Sequence, residues 1–400
     1  MLTSLALIFL VGLSLAAIIQ KAKIPRIIGM LITGIVLGPY VLDLLDPSIL
    51  NISSDLRQMA LIIILIKAGI SLDISDLKKI GRPAILMSFL PAVMEILGFV
   101  LLAPYFLDVD RLEAAIMGAV LGAVSPAVVV PRMVNLMEEK YGTNKSIPQL
   151  ILAGASLDDV FVIVLFSTFI NMATGTGASI KDIVDIPVSI LLGIVVGALA
   201  GIFLSWFFET AYVKKHHIRN SMKVIIVLGV AFLLMAIEEW CEKYVSISGL
   251  LAVMSMACAI KMKSDECVSK RIAEKYGKLW LAAEVLLFVL VGAAVDIRYT
   301  LKAGLGAIAI IFIALIFRSI GVWLCLVGTD LNVKEKWFCV ISYLPKATVQ
   351  AAIGSVPLSL GLTCGNIVLS VAVLSIIITA PIGAFAMDLS YKKLLEGEND

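Results

Sequence analysis

Apolar runs of about 17–25 residues recur along the whole chain, and short polar segments separate them. Runs of this length are typical of helices that cross a lipid bilayer. They must be helical because the hydrocarbon core offers the backbone no hydrogen-bond partner. The pattern therefore predicts an all-α membrane protein of about thirteen transmembrane helices. The predicted spans are 2–20, 26–42, 57–72, 84–106, 112–134, 148–172, 184–208, 220–238, 246–261, 279–296, 303–328, 335–357 and 365–387.

Basic residues concentrate in every second loop. With the N-terminus placed outside, 23 Lys and Arg residues fall in cytoplasmic segments and six fall in outer segments. Cytoplasmic loops of membrane proteins carry this excess of positive charge. The asymmetry predicts an integral protein of the cell (inner or plasma) membrane, with the N-terminus outside and the C-terminus in the cytoplasm. An odd number of spans agrees with that orientation.

Two segments in distant spans resemble each other. Lys67–Asp73 ends the third span and Leu290–Asp296 ends the tenth, and their glycines and aspartates share one offset of 223 residues. Because equivalent segments of the two copies are seven spans apart, an odd number, the second copy would enter the membrane in the opposite orientation. The sequence thus predicts an inverted-topology repeat of six spans, one linking span and six spans. Many secondary transporters have such repeats, and their substrate sites lie near the bilayer midplane.

The same offset relates two charged residues inside predicted spans. Glu95 in the fourth span corresponds to Arg318 in the eleventh. We expect these side chains to meet as a structural ion pair, since a carboxylate–guanidinium pair lets both groups stay charged in an apolar environment. The alternative is that each side chain reaches a separate membrane surface.

Two adjacent carboxylates, Asp158 and Asp159, lie in an otherwise apolar run from about Gln149 to Met172. A charge at the bilayer centre costs at least ~2.5–3.5 kcal/mol, so the pair indicates an ion or proton site. The alternative is that the helix ends in a loop where water hydrates both aspartates. Neighbours on a helix point about 100° apart. One aspartate is therefore expected to line the ion cavity while the other reaches a neighbouring helix.

The fifth and twelfth spans both contain proline near their middle. Pro126 and Pro131 interrupt the fifth span, and Pro345 interrupts the twelfth next to Lys346, which is expected to offset a half-helix end or the carboxylates. Proline lacks an N–H and frees a carbonyl, and broken helices at corresponding positions of two repeats mark a transporter's binding site. The alternative is a pair of ordinary proline kinks. The oxygen ligands nearby that suit a small cation are the freed carbonyls and the hydroxyls of Ser125 and Thr348.

Composition narrows the class of protein further. Of the 400 residues 60% are hydrophobic, and the mean hydropathy is +1.05. The net charge of +2 says nothing about partners, but the basic residues lie in short loops and form no nucleic-acid-binding patch. The six cysteines form no CxxC pair, which argues against a zinc site or a disulfide framework. The sequence has no Ser/His, Cys/His or HExxH constellation, so we expect neither enzyme activity nor a cofactor.

Three motifs together resemble the cation/proton antiporter superfamily. They are Gly122–Pro131, Gly154–Asp159 and Leu344–Gly354, and they are most similar to the NHA-type sodium/proton exchangers, which have a NhaA- or NapA-like fold. The resemblance implies that Asp159 is the main ligand, for which cation and proton compete. It implies Na⁺ (or Li⁺) and H⁺ as substrates, without a resident cofactor. The further ligands that we expect are Asp158, Ser125, Ser156 and Thr348.

The resemblance also implies two domains and a homodimer in the lipid bilayer. Residues 84–172 and 303–387 would form an ion-translocating core domain that contains the crossed, broken helices. Residues 1–82 and 184–302 would form a dimerisation or scaffold domain, and residues 388–400 a short cytoplasmic tail.

One residue departs from the superfamily pattern. In many relatives the counterpart of Asp158 pairs with an intramembrane lysine, where this chain has Arg318. Arginine is not deprotonated in proteins, so we expect electroneutral exchange of one Na⁺ (or Li⁺) for one H⁺ by alternating access. Because Arg318 is assigned to Glu95, Asp158 would lack a cationic partner. The alternative functions are a K⁺/H⁺ antiporter, an organic-anion/Na⁺ symporter of related fold, and a passive ion channel.

Overall fold

The computed structural model describes residues 1–22, 24–71, 81–175, 180–213, 219–241 and 247–397. Within these ranges the regular secondary structure is helical, which confirms the predicted class, and the one other feature is an isolated antiparallel bridge between Tyr141 and Gly397. The helices are α1 (Leu2–Lys21), α2 (Arg26–Leu37), α3 (Pro47–Asn51), α4 (Ser53–Ser71), α5 (Arg82–Met87), α6 (Leu90–Phe106), α7 (Arg111–Leu121), α8 (Pro126–Glu138), α9 (Ile147–Thr174), α10 (Ile180–Val213), α11 (Asn220–Cys241), α12 (Gly249–Lys263), α13 (Glu266–Ala293), α14 (Ile297–Cys325), α15 (Val333–Ser342), α16 (Thr348–Ile353), α17 (Val356–Ser359) and α18 (Gly365–Leu394).

Within the described residues, eight helical segments are long and apolar enough to cross a membrane. The fifth predicted span is instead divided between α7 and α8, and the twelfth between α15 and α16. Asp73, on which the predicted repeat partly rests, lies outside the described residues. The total of thirteen spans and the inverted repeat therefore stay predictions. The eight segments are Leu2–Lys21, Arg82–Phe106, Ile147–Thr174, Leu191–Thr210, Asn220–Glu238, Val268–Ala293, Gly304–Cys325 and Gly365–Leu394.

The chain packs as two compact units. The first contains the interrupted helices α7–α8 and α15–α16 together with α6, α9, α14 and α18, and the second contains α10, α11 and α12. The predicted division into a core and a scaffold domain concerns which parts move, and it stays a prediction. The first unit comprises residues 1–54, 73–173 and 285–400, and the second comprises 55–72 and 174–284.

Glycines bring two helices of the second unit into close contact. Gly193, Gly197 and Gly201 recur every four residues along α10 and face backbone carbonyls of α12. A Cβ on Gly197, for example, would overlap the main chain of Ala252. Small residues at one face let transmembrane helices approach each other closely. This packing explains why α10 and α12 run side by side.

A similar close approach joins α6 and α14 in the first unit. A Cβ on Gly98 would lie 3.0 Å from the ring of Phe317, and a Cβ on Gly321 would lie 2.8 Å from the Pro91 Cα. Both helices carry a buried charge near these contacts, Glu95 on α6 and Arg318 on α14. The absence of side chains at the two glycines thus lets the charged residues meet.

The two interrupted helices begin in the same way. The first half of each begins with a capping box, formed by Asp110 with Glu113 in α7 and by Asn332 with Glu335 in α15. The second half of the first pair begins at Pro126, where proline is tolerated because the N–H at the first helical position has no partner within the helix. Two related prolines behave differently: Pro345 lies in the non-helical segment between α15 and α16, whereas Pro131 lies inside α8, which continues to Glu138.

Residues 388–397, here called the C-terminal clasp, bind the end of α8 and the loop that leads to α9. The Tyr391 hydroxyl donates to Glu139 Oε2 over 2.9 Å, and the rings of Tyr391 and Tyr141 meet edge to face. The Gly142 N–H donates to the Glu396 carbonyl over 2.9 Å. A two-pronged ion pair completes the clasp, in which Arg132 Nε and Nη2 lie 2.8 and 3.0 Å from the carboxylate of Asp388.

Candidate ion-binding site

The tandem aspartates lie within the long helix α9. The helix runs from Ile147 to Thr174 without interruption, and both carboxylates are buried, with Asp158 fully enclosed and Asp159 8% exposed. The alternative in which the helix ends in a hydrated loop at this point is therefore wrong. Two buried carboxylates need partners or ligands of opposite charge.

A charged cluster surrounds Asp158. Arg318 places Nη1 2.8 Å from Glu95 Oε2 and Nη2 2.8 Å from Asp158 Oδ2. Lys346 Nζ lies 2.6 Å from the same Glu95 oxygen. The expectation that Asp158 lacks a cationic partner is wrong, because the planar guanidinium can bind two carboxylates with its two outer nitrogens. All four side chains are 0–2% exposed, so none reaches a membrane surface.

Arg318 also binds the backbone at both interruptions. Its Nε donates to the Tyr343 carbonyl over 2.7 Å, and its Nη1 donates to the Gly122 carbonyl. These carbonyls follow the C-terminal ends of α15 and α7, where a helix carries partial negative charge. The sequence predicts that Lys346 offsets a half-helix end or the carboxylates. Its ammonium binds the Glu95 carboxylate, whereas Arg318 binds the carbonyls at the two helix ends.

The two interruptions touch each other directly. The Ser125 N–H donates to the Pro345 carbonyl over 2.8 Å. The neighbouring Val124 N–H donates to Asp158 Oδ2 over 2.8 Å, so this oxygen accepts from both Val124 and Arg318. Buried backbone groups of a broken helix need such partners. Asp158 therefore holds the first interruption in place with one carboxylate oxygen.

Two further side chains support the interruptions, and the sequence analysis did not single them out. Gln350 accepts from the Ala347 N–H over 2.7 Å and donates to the Ala123 carbonyl over 2.8 Å. Thr379 on α18 accepts from the Lys346 N–H over 2.9 Å. A glutamine three residues after the N-cap position, here Ala347, is a capping signal, and it could have pointed to Gln350. The sequence around Thr379 does not indicate that its hydroxyl accepts from the Lys346 N–H, because the two residues are 33 positions apart in the chain.

Four of the predicted ligand oxygens are buried without a hydrogen-bond partner among the described residues: Ser125 Oγ, Thr348 Oγ1, Asp158 Oδ1 and Asp159 Oδ1. Leaving a polar atom in this condition costs about 1–3 kcal/mol, so it calls for an explanation such as a ligand. Hydroxyl and carboxylate oxygens are the ligands that hard cations prefer. The backbone of Ser156 lies in α9, but its side chain lies outside the described residues.

The formal charges of this region do not balance. Arg318 and Lys346 supply two positive charges, whereas Glu95, Asp158 and Asp159 supply three negative charges when all are ionised. One monovalent cation, or one proton, brings the sum to zero. An uncompensated charge in a buried site is expensive, so the cluster favours the presence of one such ion.

Comparison with known proteins gives concordant results. The family model described as "Sodium/hydrogen exchanger, transmembrane" matches residues 5–387. Sodium/hydrogen exchanger 9B2 of Xenopus tropicalis is 34% identical, with 98% of this chain and 74% of the relative covered. The human protein of that name is 34% identical over 93% of this chain and 70% of its own length. Human sodium/hydrogen exchanger 9B1 is 30% identical over 94% of this chain and 74% of its own length.

A solved structure shares the fold. The sodium proton antiporter MjNhaP1 from Methanocaldococcus jannaschii, determined at pH 8, superposes with a TM-score of 0.83. The alignment covers 98% of this chain and 98% of that chain at 22% sequence identity. At this identity the likeness speaks for the arrangement of helices alone.

Proposed function

The chain belongs to the sodium/hydrogen exchanger family, and from that premise we propose that it exchanges Na⁺ (or Li⁺) for H⁺ across a membrane by alternating access. The family membership confirms the resemblance to cation/proton antiporters drawn from the motifs, and the family is one of transporters. The observation that carries the proposal is a set of four buried oxygens beside the two interrupted helices, which have no hydrogen-bond partner in the described part of the chain. Organic-anion symport is not favoured by the family match.

Competition at one site couples the two ions. Asp159 binds either Na⁺ or a proton, and both occupants bring the charged cluster to a formal sum of zero. The empty cluster retains a negative charge, which makes its passage through the low-dielectric membrane unfavourable. Arg318 cannot give up its proton, and the Lys346 ammonium is held by Glu95. One proton on Asp159 is therefore exchanged for one cation, and the exchange is electroneutral.

The two aspartates have different roles in the proposed exchange. Asp158 commits Oδ2 to Arg318 and Val124 and keeps Oδ1 for the cation. Asp159 carries the proton in exchange for the cation. Ser125 and Thr348 add hydroxyl ligands, and Ser156 is proposed as a further ligand. The Glu95–Arg318 pair, with Lys346 on the same carboxylate, is structural because its charges are already satisfied.

Several wider features belong to the same proposal. We infer thirteen spans with an inverted repeat, supported by the two similarly capped and interrupted helices. Residues 84–172 and 303–387 form the translocating core, residues 1–82 and 184–302 form the scaffold of a homodimer, and residues 388–400 form a cytoplasmic tail. The excess of basic residues in alternate loops supports an N-out, C-in orientation in the cell membrane.

The test is sodium-dependent proton flux in proteoliposomes, measured for the wild type and for Asp159→Asn. The amide cannot exchange a proton for a cation, so we expect at least a roughly hundredfold loss of flux, within the range typical of a lost essential proton-transfer group. Asp388→Asn is the matched control, because Asp388 is a partly exposed carboxylate of the C-terminal clasp. An Asp159→Asn protein that exchanges at the wild-type rate would overturn the assignment.

Repeating the flux measurement with an imposed membrane potential tests the stoichiometry of exchange, and repeating it with K⁺ in place of Na⁺ tests the selectivity. Electroneutral exchange is independent of the potential, whereas exchange of two protons for one cation responds to it. Flux with K⁺ but not Na⁺ would establish the alternative K⁺/H⁺ antiporter. A proton leak without any cation dependence would establish the channel.

A further inference from the structure

A single peptide group connects Gln350 with Asp158. The Ala123 carbonyl accepts from Gln350 Nε2 over 2.8 Å, and the Val124 N–H donates to Asp158 Oδ2 over 2.8 Å. The carbonyl and the N–H belong to the same peptide plane, which lies in the non-helical segment between α7 and α8. Whatever orients this plane also orients the N–H that holds Asp158.

The connection extends to the second interrupted helix. Gln350 Oε1 accepts from the Ala347 N–H over 2.7 Å, at the start of α16. The sequence of donors and acceptors therefore runs in one direction, from the Ala347 N–H through the Gln350 amide and the 123–124 peptide to the carboxylate. Amide dipoles aligned head to tail strengthen one another in a low-dielectric interior. Their positive end faces Asp158.

Capping alone does not account for the position of Gln350. A side chain that only capped α16 would need the bond from Ala347 and nothing else. Gln350 also donates an N–H to the Ala123 carbonyl at the other interruption, and its side chain is fully buried. An amide is the group that can accept at one helix and donate at the other.

We propose that Gln350 is a positioning residue for cation binding, which acts through the Ala123–Val124 peptide to fix the orientation of Asp158. With Oδ2 held by the peptide and by Arg318, Oδ1 is turned away from these donors and stays available to the transported cation. This inference rests on the proposed exchange function and adds a determinant of cation affinity that does not itself touch the ion.

The experiment measures sodium-dependent proton flux in proteoliposomes for the full chain and for two variants. Gln350→Met removes the hydrogen bonds with Ala347 and Ala123, and the longer one of 3.5 Å to the Leu121 carbonyl, at similar volume. Gln350→Leu removes the same hydrogen bonds with a branched apolar side chain and adds no charge to the cluster. We expect both variants to raise the sodium KM about tenfold, the effect of one disrupted buried hydrogen bond. The kcat should stay within roughly twofold, because the proton carrier is untouched.

Ser375→Ala is the matched control, since the Ser375 hydroxyl is fully buried and, among the described residues, donates to the Ala372 carbonyl of its own helix alone. It should leave KM and kcat unchanged. An unchanged KM in either Gln350 variant would overturn the proposal. So would a loss of folding in both variants, because Gln350 would then serve the fold rather than the cation. Failure of the exchange function itself would show separately, as a wild type without sodium-dependent flux.

Discussion

Replacing Arg318 with lysine separates charge from geometry in the buried cluster. Arg318→Lys keeps the positive charge, so the formal balance with the three carboxylates is unchanged. It removes the planar guanidinium, whose nitrogens donate hydrogen bonds to Glu95, Asp158 and the carbonyls of Tyr343 and Gly122. Any effect of the substitution therefore reports on the directions of the donors.

The expected cost follows from counting donors and acceptors. Arg318 satisfies four acceptors, all in a region from which water is excluded. The lysine ammonium has three N–H groups on a single nitrogen, so at least one of these four hydrogen bonds is lost. A hydrogen bond that involves a charged group contributes about 1.5–3 kcal/mol. We expect Arg318→Lys to lower the free energy of unfolding by about 2–4 kcal/mol.

The assay is thermal unfolding of the purified protein in detergent, followed by intrinsic tryptophan fluorescence. Arg132→Lys provides the matched control, because Arg132 binds the carboxylate of Asp388 in a similar two-pronged way on the partly exposed C-terminal clasp. Exposed ion pairs contribute about 0–1 kcal/mol, so the control should melt close to the wild type. If Arg318→Lys melts like the wild type, or if both variants lose the same stability, the reasoning from donor geometry is refuted.

Two further predictions concern packing and pH. Gly154→Ala should lower the melting temperature, with an overpacking cost of about 1–3 kcal/mol, because the new Cβ would overlap the Tyr343 hydroxyl. Adding Tyr343→Phe removes that hydroxyl and should restore part of the stability, since a tight contact of 3.0 Å with Met87 Cβ remains. No rescue would contradict this account. The hydrogen bond to the buried Glu335 raises the pKa of Lys145 above its usual 10.5. The pair therefore stabilises the fold fully below pH 10.5, and this stabilisation is lost as the pH rises through the raised pKa. The wild type should thus lose its stability advantage over Lys145→Met in alkaline melting curves, and parallel curves would count against the pair.

The sequence predicts the helical class and the sites of interruption because each has a local cause. The length of the apolar runs requires helices in a membrane, and proline at position 126 or 345 cannot continue a hydrogen-bonded turn. Pro131 shows the limit of this reasoning, since α8 continues past it. A proline within a helix removes one backbone bond, and neighbouring contacts decide whether the helix ends there.

The charged cluster was harder to predict because it depends on how distant segments meet. The repeat offset relates Glu95 to Arg318 but says nothing of a third partner, so the contact between Arg318 and Asp158 was missed. The acceptors at Gly122 and Tyr343 are backbone carbonyls, which no side-chain pattern reveals. Gln350 is a polar residue in an apolar motif, and its bond with Ala347 is a local cap. Its bond to the Ala123 carbonyl, by contrast, depends on how the two interrupted helices meet.

The C-terminal clasp also bears on how the chain is assembled during synthesis. Tyr391 and its partner Glu139 are 252 positions apart in the chain. At a translation rate of about 5–20 residues per second, roughly 10–50 seconds separate the synthesis of the two partners. During that interval the loop before α9 has been made but its clasp has not. The helix that carries both aspartates therefore enters the membrane well before the segment that secures its preceding loop exists.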